Sequence, residues 1–515
     1  MVGFVLYAFL IKLLLLSIFK ISWTSPSNIS INSRAAQCDI NRSTQFPASF
    51  KFGVATAAYQ IEGAWNVSGK SPSVWDIGTH EHPERIVDHT NGDFAANSYE
   101  KYLEDIAAIK EVGFNHYRFS ISWSRILPTG EIQSLNQHGL DYYHRVIDAV
   151  IAAGVEPIIT MHHYDTPQAI QDLGGLANPV FADFFETYAG VLYQNFGDKV
   201  KTWLTFNEPF DVCMEGYGLG KSPPFVNASG RADYLCVHHV LLSHAKAYHL
   251  YRSKFEPEQQ GKVSITLNSR FFYPKNDQVD QSFIDRALQF RLGLFAHPIF
   301  SETGGYPPVM MEVIARNSLE EGFTKSRLPE MTKHMKAYIK GTADFFAFNY
   351  YTSRIIEPDL NRTLERISWE KDAGFLSSVN PEWIRAKSDW LYSVPDGLRD
   401  LLKWIKEEYG NPEIIITENG WSDNGETDDN GRINYLRSHL SAILKAIVCD
   451  DVRLTGYTIW SIIDNFEWLQ GYTEKFGLYH VDFSNPDRTR TPKKSSKFMQ
   501  KVTQTHRIPD YSTIL

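Results

Sequence analysis

Cysteine is scarce, with only Cys38, Cys213, Cys236 and Cys449 in 515 residues. Their wide spacing is not that of a metal-binding knuckle, and an even number permits two disulfides in any of three connectivities. No run of Lys and Arg is long enough to track a phosphate backbone. With 51 basic against 60 acidic residues and a net charge of −9, the balance argues against a nucleic-acid partner. Past the N-terminus no apolar stretch has the length of a membrane span. No glycine-rich phosphate loop follows the first strand-like run, which weakens an open, doubly wound dinucleotide-binding sheet. Repeats, low-complexity linkers and shifts of composition are also missing after residue 45. Residues 46–505 therefore read as one domain, with an extension over 26–45 before it and a tail over 506–515 after it.

What is present begins with "MVGFVLYAFLIKLLLLSIFKISWTS", an apolar segment broken by Lys12 and Lys20. It reads as a signal peptide over residues 1–25, cleaved near 22–26, which leaves a secreted chain with no membrane attachment. Five N-x-S/T triplets, at Asn28, Asn41, Asn66, Asn227 and Asn361, fit a glycosylated extracellular surface, and "YSTIL" at the C-terminus is not a retention signal.

Short apolar runs recur, each followed by a polar or aromatic cluster and then by a helical pattern. They are "FKFGVAT" (50–56), "HYRFSIS" (116–122), "EPIITMH" (156–162), "TWLTFN" (202–207), "KVSITLN" (262–268), "DFFAFN" (344–349), "EIIITE" (413–418) and "TGYTIW" (455–460). Between them, Phe181, Phe184, Tyr188, Val191 and Phe196 fall on one helical face behind Asn178 and Pro179 as cap and first-turn residue. Leu140, Tyr143, Ile147, Val150 and Ile151 define another helix that stops at Gly154. Eight near-continuous apolar strands alternating with helices predict an α/β fold, a (β/α)8 TIM barrel with long βα loops.

Active sites of such barrels lie at the C-terminal ends of the strands. In order, those ends bring Gln60, Arg118, His163, Asn207 with Glu208, Asn268, Asn349 with Tyr351, Glu418, and Trp460 to one mouth. A Glu at a strand end is more often a solvated turn residue. Here Glu208 is flanked by Asn207 and Pro209 and matched by Glu418 on strand seven, and two carboxylates facing each other suit glycoside hydrolysis. A retaining mechanism needs the carboxyls about 5 Å apart and an inverting one roughly 6.5–9.5 Å, which sequence spacing does not distinguish. His80, His82 and His89 lie in a loop with irregular spacing, and this chemistry requires neither a metal nor another cofactor.

"TFNEP" at 205–209 and "ITENG" at 416–420 resemble the two signature segments of glycoside hydrolase family 1, the retaining β-glucosidases. The likeness runs from "FPASFKFGVATAAYQIEGAW" (46–65) through "YRFSISWSRILP" (117–128) and "NYYTS" (349–353) to "WSIIDNFEW" (460–468) and "KFGLYHVDF", and it is strongest to secreted insect members. The resemblance implies Glu208 as acid/base, Glu418 as nucleophile, and Arg118 and Tyr351 as support for the nucleophile's charge. Asn207 is implied at the sugar 2-hydroxyl, and Asn349 is implied in substrate binding. Gln60, His163, Glu467 and Trp468 are implied at the other hydroxyls, with Trp460 and Phe476 as ring walls and Trp390 as an aglycone platform. Where the family usually carries Trp, this chain has Tyr164.

The implied substrate is a small β-glucoside or oligosaccharide, with galactosides and fucosides as variants, met outside the cell, the gut lumen included. A rival is a thioglucosidase (myrosinase) acting on glucosinolates. Plant myrosinases carry Gln at the acid/base position, so Glu208 argues against that type. It does not argue against an insect type that holds the aglycone sulfate with basic side chains, for which Arg354 is a candidate by position. A barrel that only binds sugar is a third reading, opposed by the two intact glutamates. Nothing in the sequence sets an oligomeric state.

Overall fold

The eight apolar runs form eight strands, all pairing in parallel and closing on themselves. They are β1 (Lys51–Ala55), β2 (His116–Ser120), β3 (Glu156–His162), β4 (Thr202–Asn207), β5 (Lys262–Asn268), β6 (Phe346–Asn349), β7 (Ile414–Glu418) and β8 (Leu454–Trp460). Each strand pairs with its neighbours in sequence, and β1 closes the ring against β8. In this computed structural model residues 45–360 and 367–509 are described, and they fall within one compact unit. The expected signal segment, Asn28, Asn41, Cys38, Asn361 and the last residues of the tail lie outside the described residues. Asn66 and Asn227 are exposed.

The strands lack strict alternation because both faces are covered. β2 and β4 are buried at every position, with one face inside the barrel and the other under the helices. The outer layer includes α1 (Ser98–Val112), α2 (Gln137–Ala152), α3 (Phe181–Phe196), α4 (Ala232–Leu250), α5 (Pro395–Tyr409), α6 (Asn430–Val448) and α7 (Lys494–Thr505). The predicted face of α3 is shifted: Phe185 is buried where Phe184 is only half-buried, and Asn178 precedes the helix, its Oδ1 accepting from the Val180 N–H at 3.0 Å. At the end of α2, Ile151 is exposed, and Gly154 takes φ 79°, a left-handed value that suits glycine.

Register aligns the strand ends. Ala55 lies beside both Trp460 and Arg118, and Asn349 lies beside both Asn268 and Glu418. Over the mouth, the long loops after β5 and β6 join in a small sheet of Phe272–Pro274, Arg354–Pro358 and Phe375–Ser378. A disulfide between Cys213 and Cys236 ties the segment after β4 to α4, and no described cysteine is free.

Candidate active site

Two strand ends depart from ordinary backbone. Tyr164, after β3, sits at φ 71°, and Glu208, after β4, at φ 41° before Pro209 opens a single helical turn. Left-handed non-glycine residues persist where surrounding structure enforces them, and they cluster at functional sites. Both open on a cleft of about 340 Å³ at the C-terminal mouth. Its wall includes His163, Asn207, Glu208, Asn349, Tyr351, Glu418, Trp460, Glu467, Trp468 and Phe476, with Trp390 further out. Gln60 and Arg118 are buried beside that wall.

The donors around the two central carboxylates differ in charge. Arg118 Nη1 donates to Glu418 Oε1 at 2.5 Å and Tyr351 donates its hydroxyl to Glu418 Oε2 at 2.8 Å. Glu208 has neutral partners only: Asn349 Nδ2 donates to Oε1 at 2.7 Å and the Tyr164 hydroxyl to Oε2 at 2.7 Å. Burial raises the pKa of both. For Glu208 the Glu418 and Asp211 charges raise it further, well above the ordinary range. For Glu418, Arg118 and Tyr351 pull back against burial. A proton shared by the pair therefore rests on Glu208 while Glu418 keeps its charge.

Arg118 also organises the floor, donating through Nη2 to Asn207 Oδ1 at 2.6 Å and through Nε to Thr160 Oγ1 at 2.9 Å. Asn207 Nδ2 donates to His163 Nε2 at 3.0 Å. Burial, and then the Arg118 charge, push the His163 pKa well down, so the ring is a neutral acceptor. Gln60 Nε2 donates to Asn465 Oδ1 at 3.0 Å and the Phe466 carbonyl at 2.8 Å, and it reaches Glu467 Oε2 at 3.4 Å. Gln60 Oε1 and His163 Nδ1 are buried without a hydrogen-bond partner among the described residues. Buried polar atoms of this kind need partners such as hydroxyl groups. The His163 ring lies nearly parallel to Trp460 and Trp468, at 5.8 and 5.9 Å between centroids. Polar atoms at the base and aromatic planes at the side suit a hexose ring.

The profile of glycosyl hydrolase family 1 matches residues 42–508. The chain belongs to this family. It is 45% identical to Myrosinase 1 of Brevicoryne brassicae over 468 residues, 90% of this chain and 99% of that one. It is 44% identical to the human cytosolic beta-glucosidase over 461 residues, 89% of this chain and 97% of the relative. Among solved structures, aphid myrosinase superimposes with a TM-score of 0.86 at 45% identity, covering 90% of this chain and all of its own. The chain is therefore a glycosyl hydrolase, and its cleft is that of a family 1 enzyme.

Several lining residues of this family 1 glycosidase escape a sequence reading. Tyr164 follows a strand end directly, and only the departure from Trp flags it. Asp211 stands one helical turn after Glu208 and accepts from Asn268 Nδ2 at 2.6 Å, a spacing that could have drawn notice. Glu474 lines the cleft and accepts from the Ser388 hydroxyl. Glu215 and Arg291 come from two π-helical turns, Val212–Gly218 and Gln289–Gly293, that no apolar period announces.

Arg354, placed at the entrance by position, is instead buried behind it. Its guanidinium donates to the Trp390 carbonyl at 2.7 Å and the Ser353 carbonyl at 2.8 Å, because the small sheet folds it under the Trp390 loop. The three loop histidines have separate partners: His80 meets Asp93, His82 meets Glu84, and His89 meets the Pro83 carbonyl.

Proposed function

We propose that this glycosyl hydrolase is a secreted retaining β-glucosidase that cleaves terminal β-D-glucosides through a covalent glycosyl-enzyme. The unequal setting of the two carboxyls carries the reading. In the first step Glu418, charged beside Arg118, attacks the anomeric carbon as Glu208 gives its proton to the departing oxygen. Once the Glu418 charge is consumed in the ester, the pKa of Glu208 falls, and the carboxylate takes a proton from water as that water attacks the same carbon. Asn207, aligned by Arg118 and His163, holds the 2-hydroxyl. Gln60, His163, Glu467 and Trp468 hold the remaining hydroxyls, Trp460 and Phe476 confine the ring, and Trp390 carries the aglycone.

Likeness to Myrosinase 1 over nearly the full length of both chains supports a second reading, S-glucoside hydrolysis on the same barrel. Likeness to a cytosolic beta-glucosidase supports the first, and Glu208 in place of Gln favours an oxygen leaving group that needs a proton.

A panel of aryl β-glucosides, cello-oligosaccharides and glucosinolates on the secreted protein, with NMR of the sugar first released, tests both readings. β-Glucose as the initial product from O-glucosides is expected. α-Glucose would overturn retention, and turnover of glucosinolates alone would replace the first reading by the second.

A further inference from the structure

Three guanidinium groups gather on one side of the cleft, and only two have polar partners among the described residues. Arg291 Nη2 pairs with Asp211 Oδ1 at 2.8 Å, while its guanidinium carbon lies 3.8 Å from the centroid of the Phe210 ring. Arg354 is bound to the backbone carbonyls of the Trp390 loop. Arg270, two residues past the end of β5, lines the cleft, and its guanidinium makes no hydrogen bond or ion pair with any described residue. Asp211 and Glu215 are near enough to influence it electrostatically, and neither reaches it. Burial, and then the Arg354 and Arg291 charges, push the Arg270 pKa down to about 9. Arg291 Nε is buried without a partner among the described residues. Unpaired cationic donors in a low-dielectric wall gain strongly from an anion.

The position says which half of the substrate such an anion belongs to. Glu467, read above as a sugar contact, lines the cleft with Glu474, and burial and then the Glu474 charge raise the Glu467 pKa. Arg270 and Arg291 instead neighbour Asp211 and Glu215, on the turns that follow Glu208, the carboxyl that faces the leaving group. We propose that Arg270, with Arg291 beside it, forms an anion subsite for the aglycone. The preferred substrates are glycosides whose leaving group carries an acidic oxyanion, a carboxylate or a sulfate ester, and the guanidinium binds it through two parallel N–H donors. This inference rests on the glycosidase reading of the cleft and narrows it to acidic aglycones.

Two substrate pairs test it: 4-carboxyphenyl β-glucoside against its 4-carbamoyl counterpart, and a glucosinolate against its desulfo form. The first pair reads a carboxylate and the second a sulfate. The carbamoyl phenol is the better leaving group, so an advantage for the carboxylate runs against intrinsic reactivity. In at least one pair the anion should show a kcat/KM higher by roughly tenfold to a hundredfold. R270Q should bring that ratio close to one, and R270K should keep part of it. A ratio is unaffected by any general loss of activity.

Affinities for the same pairs, measured by calorimetry on E418G, give a readout independent of turnover. Tighter binding of the anion there supports the subsite even if the O-glucosidase reading fails. Equal or weaker binding of both anions overturns the subsite even if neutral glucosides are hydrolysed, as does an R270Q ratio equal to that of the unaltered protein.

Discussion

The Tyr164 hydroxyl donates to Glu208 Oε2 at 2.7 Å, from a backbone held at φ 71°. The contact pulls the Glu208 pKa down against burial and the Glu418 and Asp211 charges, which push it up. Removing the hydroxyl leaves the carboxylate form less stabilised, so the pKa of Glu208 rises and its proton is held to higher pH. In Tyr164→Phe the alkaline limb of kcat/KM should move up by about one pH unit, the worth of one hydrogen bond to a charged group. Tyr164→Trp, which offers an indole N–H, should fall between. A limb that stays in place would mean that the hydroxyl does not tune the acid.

Glu208→Ala should slow cleavage of poor leaving groups, such as alkyl glucosides, by roughly 10²- to 10⁴-fold while sparing nitrophenyl glucosides in the first step. Added azide should then yield β-glucosyl azide, since the ester on Glu418 still forms and is opened by the anion. Equal losses on both leaving groups would contradict the role as acid.

Glu418→Gly should lower hydrolysis of every substrate by about 10⁴-fold. With an activated β-glucoside and azide, a single displacement replaces two, so the product should be the α-azide. Chromatographic identification of the anomer separates this variant from the one above, and substantial remaining hydrolysis would exclude Glu418 as nucleophile.

Arg354 acts through the Trp390 loop, whose carbonyl it holds at 2.7 Å. Arg354→Met should therefore raise KM for aryl glucosides by roughly fivefold. It should leave kcat unchanged where hydrolysis of the glycosyl-enzyme is limiting, because that step no longer involves the aglycone. A fall in kcat with KM unchanged would place Arg354 in the chemistry instead.

The Cys213–Cys236 bridge closes a loop of 23 residues that includes Glu215 of the π-helical turn. Replacing both cysteines by Ala should cost about 3 kcal/mol of unfolding free energy, read as a Tm lower by a few degrees in calorimetry. An unchanged Tm would show that α4 and the π-turn are held by packing alone.

The barrel was legible because its strands are short, apolar on both faces and punctuated by helical periods. All eight β-strands start and end within two residues of the predicted runs, and β2 ends two residues early because Ser122 leads into the turn at Trp123. Glu208, Glu418 and the donors Arg118, Asn349 and Tyr351 were legible for a related reason: β/α topology brings every strand's C-terminal end to one mouth, so a residue's place in its strand already states its place in the site, whereas Tyr164 as a donor to Glu208 was not. The loop residues were not legible. Arg291 lies 23 residues beyond Asn268 on an interrupted helix, and Arg354 belongs to a small sheet between two loops, so neither has a local pattern that reports where it points.

By itself the sequence determined the fold class and the strand-end positions of the two carboxylates, because strand periodicity and strand-end position are local properties. Tertiary structure decided which carboxyl holds the proton, since that depends on Arg118 and Tyr351 converging on Glu418 while Asp211 faces Glu208. It likewise decided that Arg354 turns inward to hold the Trp390 loop while Arg270 lines the cleft. Charge separation and burial in three dimensions set those outcomes, and no linear spacing encodes them.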